Sequence, residues 1–149
     1  MKKEPTIQDF MTQQPQSIGF GESLEKARDL MSKYDIRHLP VTRDDELIGI
    51  LSERELDVAC GVEQPLDPSH LLVADVCSEG PYIVAPDTPL WQVARTMADL
   101  RYGSALVVEN GKLVGIFTTV DACKALYFIL EEDAVSQNSG RIRKARHGQ

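Results

Sequence analysis

Apolar positions recur with a helical period twice along this chain. Leu24, Ala27, Leu30, Met31 and Tyr34 fall on one side of a predicted helix, and so do Leu90, Val93, Ala94, Met97 and Leu100. Ser23 stands where the first helix would be capped. Thr88 followed by Pro89 marks the start of the second, a hydroxyl cap and then the residue whose fixed φ suits a first turn. Two short strand-like runs follow each helix, 38–42 and 47–51 in the first half and 104–108 and 113–117 in the second. Asn110-Gly111 joins the later pair, and both residues tolerate positive φ, which predicts a tight hairpin turn. Its counterpart, Arg43-Asp44-Asp45-Glu46, predicts a looser turn of the same length. Leu47-Ile48-Gly49-Ile50-Leu51 then runs into Ser52, and Leu113-Val114-Gly115-Ile116-Phe117 into Thr118. Each hydroxyl can cap a further helix, with Glu55 or Asp121 three positions on, the spacing of a capping box.

The two halves are one pattern written twice. Gly49 and Gly115 stand 66 positions apart, and the same shift carries Asp9 onto Asp75, Pro15 onto Pro81, Met31 onto Met97 and Val41 onto Val107. A repeat that holds its register without a gap means two copies of one supersecondary unit. Residues 5–60 form the first copy and 70–130 the second. Gly61, Pro65 and Pro68 mark 61–69 as the linker, and 131–149 reads as a polar, then basic, flexible tail.

Charge and composition narrow the function. The formal charge of −7 hides a more acidic body, because Arg141, Arg143, Lys144 and Arg146 lie in the last nine residues with no acid among them. Such a body disfavours nucleic acid, whose phosphates require a basic surface. Cys60, Cys77 and Cys123 match no zinc spacing and read as reduced thiols of a cytoplasmic protein. No apolar stretch approaches the roughly 20 residues of a membrane span. His38, His70 and His147 are scattered, which argues against a metal site, and no nucleophile and base come at a useful spacing, so no catalytic residue is assigned and an enzyme is not expected.

The doubled pattern, with Ile36-Arg37-His38-Leu39-Pro40-Val41 ahead of a strand ending Gly49-Ile50-Leu51-Ser52, resembles the tandem CBS domain, or Bateman module, over about residues 5–130. The resemblance implies an α/β (α+β) fold of two βαββα repeats packed about a pseudo-twofold axis. It also implies two clefts that in many members bind AMP, ADP, ATP or S-adenosylmethionine, in modules that sense rather than catalyse.

One cleft would be built around Thr118 and Asp121. A helix N-terminus favours a phosphate, and a carboxylate one turn in can accept both ribose hydroxyls. By similarity to the family, adenine would lie against Gln16, Ser17 and Ile18 and against Gly103, Ser104 and Ala105, with phosphates toward Arg37 and His38. The mirror cleft would hold Ser52 and Glu55 with Tyr82, Ile83 and Val84. It is expected to be the weaker one, because Glu55 replaces the usual aspartate and Gly103-Ser104 stands where the other cleft has Arg37-His38. Plainer roles are open too: Thr118 and Asp121 would stabilise a helix by about 1 kcal/mol with no ligand, and Arg37 could pair with Asp35.

The helix from Val120 through Leu130 is apolar on nearly every face, so it and Trp91 are expected to be covered in a homodimer. The reading is therefore a free-standing CBS pair that senses an adenine nucleotide and requires no cofactor. The alternative is a ligand-free module for dimerisation or for docking a protein partner, with the basic tail engaging an acidic one.

Overall fold

The computed structural model describes residues 3–61 and 70–147, with side chains through residue 141. A 3-10 turn, Ile7–Asp9, leads into β1 (Thr12–Gln13), β2 (Ile18–Gly19), α1 (Leu24–Tyr34), β3 (His38–Arg43), β4 (Glu46–Ser52) and α2 (Glu53–Cys60). The second half repeats this order with α3 (Val73–Val76), β5 (Ser78–Glu79), β6 (Ile83–Val84), α4 (Leu90–Leu100), β7 (Ser104–Glu109), β8 (Lys112–Thr118) and α5 (Thr119–His147). Both long hairpins were legible, and so was the cap of α1, where Ser23 Oγ accepts from the Lys26 N–H at 3.1 Å.

Two four-stranded sheets result, β2-β3-β4-β5 and β1-β8-β7-β6, and they meet where β4 approaches β8. Each sheet borrows its edge strand from the other half of the chain. Thr12 and Gln13 pair antiparallel with Ile116 and Gly115, while Ser78 and Glu79 pair antiparallel with Ile50 and Gly49. The turns ahead of these strands cross over too. The Ile7 N–H donates to the Thr88 carbonyl at 2.9 Å, and the Ile7 side chain is fully buried in the cluster of Val93, Met97, Val107 and Phe117. Reciprocally, the Val73 N–H donates to the Glu22 carbonyl at 2.8 Å, and Val73 is buried with Leu24, Met31, Leu51 and Leu56.

This exchange explains the glycines that anchor the repeat. A Cβ on Gly49 would lie 2.7 Å from the Ser78 carbonyl oxygen, and one on Gly115 would run into the Met11 thioether. At Gly49 the borrowed backbone leaves no room for a side chain, and at Gly115 the Met11 side chain takes the space.

Three local expectations need correction. Asp44 and Asp45 adopt φ of 50° and 64°, beside 52° and 77° for Asn110 and Gly111, so the first hairpin turn is as tight as the second. Aspartate tolerates the left-handed region well enough to replace the favoured pair. Pro89, not Thr88, occupies the N-cap position of α4 and supplies no side-chain cap, while the Thr88 carbonyl is taken by the exchanged Ile7 N–H. Apart from Gly61, the expected linker lies outside the described residues. The tail expected to be flexible is helical, since α5 runs without a break to His147. No proline interrupts it.

Candidate functional site

Two pseudo-equivalent helix starts face the junction of the repeats. At α2, the Ser52 N–H donates to Glu55 Oε2 at 3.1 Å and the Glu55 N–H donates to Ser52 Oγ at 3.2 Å. The hydroxyl of Ser78, from the exchanged strand, donates to Glu55 Oε1. At α5, the Thr118 N–H donates to Asp121 Oδ2 at 2.9 Å, the Thr118 hydroxyl donates to the same oxygen at 3.2 Å, and the Asp121 N–H donates to Thr118 Oγ1 at 3.4 Å. The hydroxyl of Thr12, again from an exchanged strand, donates to Asp121 Oδ1 at 3.3 Å. Both acids thus close a capping box and tie the borrowed strand to it.

They differ in exposure. Asp121 is 7% exposed and Glu55 half-buried. Further along α5, Phe128 packs edge-on against Phe10 with ring centroids 5.7 Å apart. The first repeat has the smaller Val76 where the second places Phe10, and α2 ends at Cys60, whereas α5 continues past Phe128. Bulk is added on the Asp121 side.

Two adjoining cavities of about 680 and 910 Å³ open on the Ser52–Glu55 side, sharing His38, Ser52, Arg54 and Val58 as lining. The larger reaches across to Tyr82, Arg101, Tyr102, Gly103 and Ser104 of the second repeat, and the smaller extends to Arg37 and Glu53. Tyr82 and Tyr102 lie with ring centroids 5.4 Å apart and planes tilted by 32°. His38 packs against Gly103, where an added Cβ would sit 3.0 Å from its Nε2. Burial lowers the His38 pKa below the ordinary value, opposed by the charge of Glu55 and reinforced by that of Arg37.

The structure divides the sequence-predicted residues. Arg37, His38, Ser52, Glu55, Gly103 and Ser104 gather around these cavities, and Thr118 and Asp121 are not among the lining residues. Arg37 is paired with Glu53 at 3.9 Å rather than with Asp35, and it faces the Ser52 side instead of Thr118. Ile18 and Ala105 are core residues of the two repeats, so a ligand could meet only their backbone. Ser17 and Ile83 are exposed. The mirror cleft does not lack cations: Arg54 and Arg101 line it. Sequence reasoning missed Arg101 because it lies two residues before the position equivalent to Arg37, and Arg54 because only the capping positions of its turn were considered.

The fold and the doubled site define a two-repeat module with a shared inter-repeat cavity. The family profile of the CBS domain matches residues 7–59 and 73–127, and the chain belongs to that family as a CBS-domain pair. An inosine-5'-monophosphate dehydrogenase of Korarchaeum cryptofilum is 30% identical over 92% of the chain, which spans only 26% of that enzyme. A Vibrio cholerae protein assigned to acetoin utilization (AcuB) superposes with a TM-score of 0.78 at 29% identity, covering 89% of this chain and 97% of that one. CBSX2, solved in complex with AMP, shares the fold at a TM-score of 0.74 and 24% identity, over 83% and 97% of the two chains. No described helix is long and apolar enough to cross a membrane.

Proposed function

We propose that this CBS pair is a regulatory module that senses an adenosine ligand in the inter-repeat cavity on its Ser52–Glu55 side. The observation that carries the reading is the cavity of about 910 Å³ whose walls come from both repeats. A ligand filling it favours one arrangement of the repeats over another, which is the condition for a signal. Tyr82 offers an aromatic wall for a base. Each Glu55 oxygen accepts one described hydrogen bond and has capacity for a ribose hydroxyl. The complex of CBSX2 with AMP supports adenosine chemistry in this fold. The role is regulatory, not catalytic, and the free thiols Cys60, Cys77 and Cys123 favour the cytoplasm. Thermal-shift titration with adenosine, AMP, ADP, ATP and S-adenosylmethionine tests the reading: a saturating ligand must raise the melting temperature, since stabilisation follows RT ln(1 + [L]/Kd). No rise with any of them overturns it.

The module also pairs with itself in this reading. Trp91 and Leu126 are 57% and 59% exposed, and they border a cavity of about 310 Å³ with Leu90, Ala94 and Ile129. The same apolar face favours the second reading, a ligand-free dimerisation or docking module.

A further inference from the structure

The larger cavity is lined by arginines from both repeats. Arg54 lies in the first turn of α2, and Arg101 follows α4 as its C-cap. Among the described residues neither makes an ion pair, whereas Arg37, on the adjoining cavity, is shared with Glu53. In a chain of formal charge −7, two unpaired cations around one cavity need an account. Of the acids in the same lining, Glu55 is held by Ser52 and Ser78 and Asp75 by the Leu72 N–H, with Glu79 completing the set.

The backbone of Arg101 points the same way. Its φ of 58° and ψ of 39° are left-handed, and its N–H closes the end of α4 on the Met97 carbonyl. Glycine holds this conformation without steric cost, yet the position carries a long cationic residue that lines the cavity.

We infer that Arg54 and Arg101 form a phosphate clamp with one arm from each repeat. The cavity then selects phosphate-bearing adenosine compounds over the uncharged nucleoside and over a sulfonium compound such as S-adenosylmethionine. A guanidinium matches a phosphate bidentately, and an anion held by both arms ties the end of α4 to the start of α2. The selectivity rests on the adenosine reading above, but the clamp itself is open to a probe that contains no adenosine.

Calorimetry on the full chain tests it with adenosine, AMP, ATP, S-adenosylmethionine and inorganic tripolyphosphate. The wild type should bind AMP and ATP at least tenfold more tightly than adenosine or S-adenosylmethionine. Arg101→Gln and Arg54→Gln should each weaken AMP, ATP and tripolyphosphate by roughly ten- to hundredfold, with adenosine unchanged. Both variants should melt within a few degrees of wild type, because the two side chains are exposed. Equal wild-type affinity for adenosine and AMP overturns the clamp and leaves the adenosine reading intact, as does an AMP-to-adenosine ratio that neither substitution moves. Tripolyphosphate binding that is lost in Arg101→Gln, with no adenosine compound bound, upholds the clamp and overturns the adenosine reading. No binding by any probe overturns both.

Discussion

Removing the Asp121 carboxylate separates a structural role from a ligand-binding one. Asp121→Ala opens the capping box of α5, worth about 0.5 to 2 kcal/mol. It also frees the Thr118 N–H and the Thr12 hydroxyl from a group only 7% exposed. Hydrogen bonds to a charged group contribute about 1.5 to 3 kcal/mol each, but bonds sharing one carboxylate are not additive, so a total near 2 to 3 kcal/mol is expected. In a chain of this size each kcal/mol moves the melting temperature by about 2 to 4 °C, which gives a loss of roughly 5 to 10 °C. Glu55→Ala opens the matching box in a more exposed setting and should cost about 1 kcal/mol. Ligand response should run in the opposite order. Saturating AMP or ATP should still raise the melting temperature of Asp121→Ala by the wild-type increment, while Glu55→Ala should lose most of it. The increment must be read on each variant separately, because at a hundred times Kd it amounts to about 2.7 kcal/mol, as large as the structural loss. Asp121→Ala melting within 2 °C of wild type yet deaf to AMP and ATP would refute the reasoning and move the site to the other cleft.

Gly49→Ala should destabilise by about 1 to 3 kcal/mol in urea unfolding, and more than Gly115→Ala, since the added methyl meets the Ser78 carbonyl in one case and the movable Met11 side chain in the other. Sedimentation at micromolar concentration should show two chains, and Leu126→Glu should give one; a monomeric wild type removes the case for a dimer. Burial holds the His38 pKa below that of the unfolded chain, so folded His38 resists the proton that the unfolded chain accepts. Stability should therefore be flat above about pH 6.5 and fall as pH drops below it, and His38→Gln should make that fall shallower in melts between pH 7.5 and 5.5. An unchanged slope in the variant would show that other groups carry the pH dependence.

The 66-residue shift, the four long strands and the cap at Ser23 are local features, set by periodicity and hydroxyl placement, and they were legible as such. The exchange of β1 and β5 was not, because two-residue strands carry no alternation and their partners lie far away in sequence. Once it is seen, Gly49 and Gly115 stop being markers of a repeat and become the points where the borrowed segments pack closest, Ser78 backbone on the one and the Met11 side chain on the other. The full lining of the larger cavity was not legible for a related reason. Thr118 and Asp121 match the family pattern better than Ser52 and Glu55, but the cavity on the Ser52 side is also lined by Arg101 and Tyr102, which come from outside the motif. The tail was misjudged on polarity alone, although nothing in it breaks a helix.

The borrowed strands also impose an order on synthesis. The sheet β2-β3-β4-β5 has all its strands once Glu79 has emerged, so it can close while the remainder of the chain is still being made. The segment from Ile7 to Gln13 is made well before its partners, since Thr88, Val93 and β8 all lie in the second half of the chain. That segment is therefore among the last to find its place, because its contacts are among the most non-local and the slowest to form. Until then Ile7, Phe10 and Met11 ride on the nascent chain as an uncovered apolar patch.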